Sequence, residues 1–439
     1  MKDLGLSVVW RYAAIAVQFG LVVLVAQRLP LADAGVYFTL FGAVTVSSML
    51  VGIGAPDGLV RLLPVIVDPG RRGTTGNKML RRAVRVSRLT GIAGGLLVAV
   101  YCLASMGSSF VAVGAGIWWL GYSQVFLAAQ ILAGLNRAAL AAFFAYSATN
   151  FAYCLTLVPY LVLAERPTLG GVVALAAAPT VAVAVVGHCM VRRALRGGGP
   201  VEAVGHDPGT PPEVAPGARA SAAGVWHVGI PIMLTRIMQA SLPWLPVWFL
   251  SAFASHEQAA VYAAASRLVV AVTAVIAALR FAVRPRIVRL FSEQEVEQIA
   301  KIARGASVAS AVGPTIGLFC MLTVGEPLIT TVLGQRYSGT SEVLTILLVG
   351  VLAECVGGVA DEILKMTGLT SIVLMSLALA VGVQCAGGIV FGADGAVSMA
   401  WTTVVAFATQ YVIQLVYLQW KGPVVVWPLG RNKSQRIQT

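Results

Sequence analysis

Charge is scarce in this chain. Only 11% of its 439 residues are Asp, Glu, Lys or Arg, against about a quarter in an ordinary soluble domain. That shortage excludes a string of soluble domains, which the length alone would allow. Histidine is rarer still. His188, His206, His227 and His256 fall at run ends or in loops, with no HExxH-like spacing, so a zinc enzyme has no ligand set to build on. The six cysteines include no CxxC pair and all lie in apolar runs. They read as small core residues rather than metal ligands or disulfides. A nucleotide-binding phosphate loop is missing too. Gly70-Arg71-Arg72-Gly73-Thr74-Thr75-Gly76-Asn77-Lys78 comes nearest, but Asn77 separates Gly76 from Lys78 and the neighbours read as membrane helices. The chain is expected to be no enzyme, with no ATPase, metal or cofactor of its own.

What is present is apolar sequence: 58% hydrophobic residues and a mean hydropathy of +0.84. A bilayer-spanning helix needs about 20 apolar residues. That ruler finds about twelve runs, at 7–27, 36–58, 89–106, 111–133, 142–164, 170–191, 227–250, 259–282, 306–325, 342–364, 369–391 and 396–418. The fold expected is therefore an all-α polytopic membrane protein. The first run is too long for a signal-peptide core and lacks a convincing cleavage site.

The formal net charge of +13 would suggest nucleic acid in a soluble protein. Here the basic residues crowd into alternate loops. Segment 61–88 holds Arg61, Arg71, Arg72, Lys78, Arg81, Arg82, Arg85 and Arg88, and 192–226, 283–305 and the tail are basic as well. Loops after odd-numbered runs carry only Arg28, Arg166 and Arg336. This is the positive-inside pattern, with both termini cytoplasmic in a cell (plasma or inner) membrane and no nucleic-acid partner. Trp118, Trp119, Trp244, Trp248, Trp420 and Trp427 lie near run ends and are expected in interfacial belts. Segment 293–304 reads as an amphipathic surface helix, with Lys78 to Arg88 as its basic counterpart.

The chain also repeats itself. Ala34-Gly35-Val36-Tyr37 reads against Ala259-Ala260-Val261-Tyr262. Arg11 and Arg236 each precede the repeat tyrosine by 26 residues, and Arg61 and Arg286 each follow it by 24. Two homologous halves of this kind are a transporter signature. The domains expected are a six-helix bundle at 1–196, a Gly/Pro-rich cytoplasmic linker at 197–224, a second bundle at 225–420 and a basic tail at 421–439.

Ionisable residues inside the runs mark function, because burying one in the bilayer costs at least about 2.5–3.5 kcal/mol. Arg11, Arg236 and Arg267 are the candidates for an anion-binding cavity; a guanidinium fork matches phosphate oxygens. Snorkelling is the plainer reading of Arg11, and a structural salt bridge that of Arg236. Glu354 and Asp361 are candidates for charge balancing or cation coupling, although Asp361-Glu362 near Lys365 also reads as an end-of-helix ion cluster. Prolines 159, 179, 231, 243, 246 and 314 interrupt the runs and supply bending points.

At this point the chain resembles the oligosaccharide-lipid (O-antigen-type) flippases of the multidrug/oligosaccharidyl-lipid/polysaccharide exporter superfamily. The resemblance rests on 32–37, Gly52-Ile53-Gly54-Ala55-Pro56-Asp57-Gly58-Leu59-Val60-Arg61, 260–268, Arg284-Pro285-Arg286-Ile287, 333–338, 364–368 and 391–396, in that order and spacing. It implies two six-helix bundles around a central cavity. It implies alternating-access transfer of a polyprenyl-diphosphate-linked oligosaccharide from the cytoplasmic to the outer leaflet, with Na+ or H+ as the candidate coupling ion. The partners implied are that lipid-linked oligosaccharide, membrane lipids and other polysaccharide assembly proteins. Family members often place an acid in the seventh span, where this chain reads Leu245-Pro246-Val247. The rivals are a lipid II flippase or drug/cation antiporter of the same fold, a membrane-embedded polysaccharide polymerase or glycosyltransferase, and an assembly scaffold.

Overall fold

In hydrocarbon each backbone N–H must find its partner within its own segment or in a closed barrel, so long apolar runs become helices. The computed structural model of the chain describes residues 2–66, 74–196, 222–367 and 369–420, and these form helices and turns with no strand. Among them, nine helices are long and apolar enough to cross a membrane. The protein is an all-α polytopic membrane protein. The expected linker and tail lie outside the described residues, apart from 222–224.

The helices divide into two compact units, Met1–Ser241 and Leu242–Thr439. The first holds α1 (Lys2–Arg28), α2 (Leu31–Ser47), α3 (Ala55–Ile66), α4 (Thr74–Met106), α5 (Ser109–Gly134), α6 (Ala138–Ala142), α7 (Ala148–Leu163), α8 (Leu169–Arg196) and α9 (Ala222–Ser241). The second holds α10 (Leu245–Phe253), α11 (His256–Ser292), α12 (Val296–Leu333), α13 (Thr340–Met366), α14 (Thr370–Phe391) and α15 (Ala396–Trp420).

The run 7–27 lies within α1, and two other expected runs look different from a plain span. The run 227–250 is broken at Leu242-Pro243-Trp244 into α9 and α10, as a proline without a backbone donor favours. The run 259–282 sits inside α11, an unbroken helix of 37 residues. The other prolines within described helices do not end them: Pro159, Pro179, Pro231 and Pro314 all lie in helix interiors.

Two expected surface helices are not separate elements. Val296 opens α12, which runs on to Leu333 with one non-helical residue, Val324. Lys78 to Arg88 are likewise the first turns of α4, and the phosphate-loop look-alike runs into the same helix at Thr74. Between α4 and α5 the chain turns at Gly107 (φ +66°), and Ser108 caps α5 by accepting from the Val111 amide at 3.4 Å.

Unit 1 packs around α5. Trp118 and Trp119 are buried there rather than interfacial, a correction with a clear cause. A buried indole N–H needs an acceptor, and the bundle offers hydroxyls: Trp118 donates to Tyr153 Oη at 2.7 Å and Trp119 to Ser47 Oγ at 2.6 Å. The repeat tyrosine Tyr37 stacks on Trp118, centroids 5.9 Å apart. Arg28 closes the end of α7, donating to the carbonyls of Leu161, Val162 and Ala164 at 2.7, 3.3 and 2.9 Å. These carbonyls have no partner within α7. Tyr153→Phe would leave the Trp118 donor without an acceptor, at a cost of about 1–3 kcal/mol. A lowered thermal midpoint in detergent checks this.

Unit 2 packs around α13. Its repeat tyrosine, Tyr262, is buried and shares a 2.8 Å hydrogen bond with Thr403 Oγ1. Ser255 caps α11 by accepting from Gln258 N, and Gln258 Oε1 accepts from Ala396 N at the start of α15. Trp244 is buried as well, whereas Trp420 is exposed; Trp427 lies outside the described residues. Of the cysteines, Cys102 and Cys355 are buried and Cys189 is exposed, so the core assignment holds for only some of them.

Candidate functional site

The candidate residues fall into three places, each described within its own unit. The first is on α9, in unit 1. Arg236 Nη2 lies 2.5 Å from Asp57 Oδ1, and the Asp57 side chain has no exposure at all. The Arg236 guanidinium also stands over the Phe126 ring at 5.1 Å. Arg236 is thus ion-paired, in keeping with the salt-bridge alternative raised by the sequence. Its partner stands out in the sequence only as part of the 52–61 motif. The signal that would have found it is an acid lying inside the apolar run 36–58, in the first turn of α3.

The pair is held by close backbone approach. A Cβ at Gly58 would meet the Val225 carbonyl oxygen, with Val225 C at 2.9 Å, and one at Gly54 would meet Gly229 C at 2.7 Å. Small residues let helix backbones come this near.

The second place is in unit 2. The Arg267 guanidinium carbon lies 3.8 Å from the Trp244 ring centroid. Its Nε and Nη2 are buried with no hydrogen-bond partner among the described residues. Trp244 is there because the segment breaks: it is the N-cap of α10, behind Pro243. A stacked cation with empty donors in an apolar bundle is suited to take up an anion. The side chain of Arg11 lies outside those described, so Arg236 and Arg267 are placed and Arg11 is not.

The third place is the acid group on α13. Asp361 Oδ2 pairs with Lys365 Nζ at 2.5 Å, one turn on. Gln414 Nε2 donates to Asp361 Oδ1 at 3.3 Å and to Ser376 Oγ at 2.9 Å. Asp361 therefore sits in the ion cluster that its spacing from Lys365 suggested. Glu354 is half-buried, two turns earlier on the same helix. No three His, Cys, Asp or Glu side chains gather to hold a metal ion among the described residues.

The fold is that of known transporters over nearly the whole chain. MurJ, a lipid II flippase in an inward closed conformation, matches with a TM-score of 0.70 at 12% identity, over 94% of this chain and 87% of that one. The MATE multidrug transporter DinF-BH matches at 0.64 with 13% identity, over 97% and 96%. A multidrug resistance MATE family transporter of the MOP superfamily, inward-facing, matches at 0.61 with 15% identity, over 93% of each chain. At these identities the likeness shows a shared fold. No family model and no curated protein matches the chain.

Proposed function

We propose that the protein is a flippase that moves a polyprenyl-diphosphate-linked oligosaccharide from the cytoplasmic to the outer leaflet by alternating access, for cell-surface polysaccharide biosynthesis. The observation that carries this reading is Arg267, stacked on Trp244 with two buried donors unfilled among the described residues. A cationic drug would be repelled by such a group, whereas a diphosphate would fill the donors with charge-assisted bonds. The shared fold with a lipid II flippase supports the lipid-diphosphate class, and a lipid II flippase is the second reading on the same ground. Arg11 and Arg236 are the further cavity candidates, and Glu354 and Asp361 are candidates for coupling to Na+ or H+. On this reading both termini are cytoplasmic in the cell membrane, and the partners are the lipid-linked sugar, membrane lipids and other assembly proteins.

Two tests bear on it. In purified protein, polyprenyl diphosphate is expected to raise the thermal midpoint by several degrees, and neutral polyprenol is not, since a ligand bound only by the folded state stabilises it. Loss of the shift in Arg267→Ala places the anion there; an equal shift from polyprenol would sink the diphosphate reading. For topology, Glu257→Cys in a background without native cysteines is expected to label from outside, and Arg192→Cys is not. Both positions are exposed. The reverse pattern would invert the orientation.

A further inference from the structure

The second segment is bent, and the bend is strained. Gly52, Ile53 and Gly54 are all left-handed, at φ +69°, +52° and +84°. Glycine takes such values freely, but a β-branched residue does so only at a cost. Ile53 is half-exposed at 52%, so no burial of its own side chain holds it there. Strain of this kind persists only where the surroundings over-determine it. Two clamps are present. Gly52 N donates to Thr90 Oγ1 on α4 at 2.8 Å, and Trp226 Nε1 on α9 donates to Gly52 O at 3.1 Å. Arg82 in turn covers the Trp226 ring at 5.9 Å. One clamp is therefore carried by α9, the helix that Asp57 and Arg236 tie down.

That tie is poorly made for a purely structural role. Arg236 Nη2 meets Asp57 Oδ1 at 2.5 Å without the alignment of a hydrogen bond, and among the described residues Asp57 Oδ2 and Arg236 Nη1 are buried with no hydrogen-bond partner. Asp57 is fully buried and Arg236 half-buried; an ion pair taken out of water with unmet hydrogen bonds gives little net stability over an apolar pair, and a switch is among its best-attested uses. The seam beside it is backbone against backbone at Gly54 and Gly229, and at Gly58 the Val225 backbone comes close together with one side-chain methyl, Val225 Cγ1. α9 also has means of bending: Pro231 removes one donor from its middle, and Leu242-Pro243-Trp244 breaks the chain at its end.

We propose that α9 is a releasable latch on the second segment. With the Asp57–Arg236 pair closed, Trp226 holds the 51–54 turn in its strained bend. When the pair opens, α9 leaves α3 and the turn relaxes, straightening α2 and α3 toward one helix. The inference rests on the transporter reading, but its test needs no transport assay.

The full chain, with native cysteines replaced and Val225→Cys as reporter, is placed in proteoliposomes and its rate of maleimide labelling measured. Val225 is fully buried in the seam. Asp57→Asn and Arg236→Gln are each expected to speed labelling about tenfold or more, and the swap Asp57→Arg with Arg236→Asp to slow it again. Unchanged labelling in monodisperse, helical single variants would overturn the latch. If the single variants do not fold, the intact latch is read instead. Spin labels at Arg85→Cys and His227→Cys, both exposed, should give two distance populations whose balance shifts with polyprenyl diphosphate or an ion gradient. One narrow distance under every condition overturns the proposal.

Discussion

Replacing Arg267 by alanine is expected to slow translocation of a polyprenyl-diphosphate-linked oligosaccharide by about tenfold to a hundredfold. A hydrogen bond to a charged group contributes about 1.5–3 kcal/mol, and each 1.4 kcal/mol is about a factor of ten. The loss should reach the upper end of that range because Nε and Nη2 of Arg267 are both buried and unfilled among the described residues. Arg267→Lys separates charge from shape. A lysine keeps the cation but loses the planar fork and its stacking on Trp244, so partial rescue is expected. Full activity in Arg267→Ala, with normal amounts in the membrane, would remove Arg267 from the binding machinery. Trp244→Leu should act in the same direction but more weakly, because it unseats the guanidinium without deleting it.

Gly58→Val is the substitution expected to do most damage to unit 1. The new side chain would run into the carbonyl oxygen of Val225, with Val225 C at 2.9 Å and Cγ1 at 3.0 Å. Two of these three atoms are backbone and have no rotamer into which to escape. Overpacking of a tight contact costs about 1–3 kcal/mol, sometimes more. The expected result is a lower apparent Tm in detergent together with loss of the slow labelling at the seam. Gly20→Ala is the internal comparison, since a Cβ there has nothing within 4 Å and its Tm should hold or rise. An unperturbed Tm in Gly58→Val would mean that α9 does not lie against α3 in the protein in solution.

Hydropathy reads the helical runs well because it follows from one physical requirement, a backbone satisfied inside hydrocarbon. The break at Pro243 is legible for the same kind of reason, as proline cannot donate. Asp361 with Lys365 is legible because four residues make one helical turn, whatever the tertiary structure does. The Asp57–Arg236 pair is not. Its members are 179 residues apart in the chain, and the rotation of each helix about its axis decides whether they face. Trp118 fails for a related reason: its place near a run end is shared by interfacial and core indoles, and only the Tyr153 hydroxyl tells them apart. The strained turn at Ile53 lies within the 52–61 motif, yet nothing in Gly-Ile-Gly says which residues adopt positive φ. The repeat shows the same limit. Tyr37 stacks on an indole while Tyr262 shares a hydrogen bond with Thr403, so equal spacing leads to unequal surroundings.

The measurement closest to the central claim is a leaflet-resolved flip assay in proteoliposomes. It compares one fluorescent oligosaccharide carried on polyprenyl diphosphate with the same sugar on a neutral lipid, under imposed Na+ and H+ gradients. The account predicts protein-dependent translocation of the diphosphate-linked form only, lost in Arg267→Ala. Equal movement of the neutral form, or no movement of either with folded protein under both gradients, would contradict it.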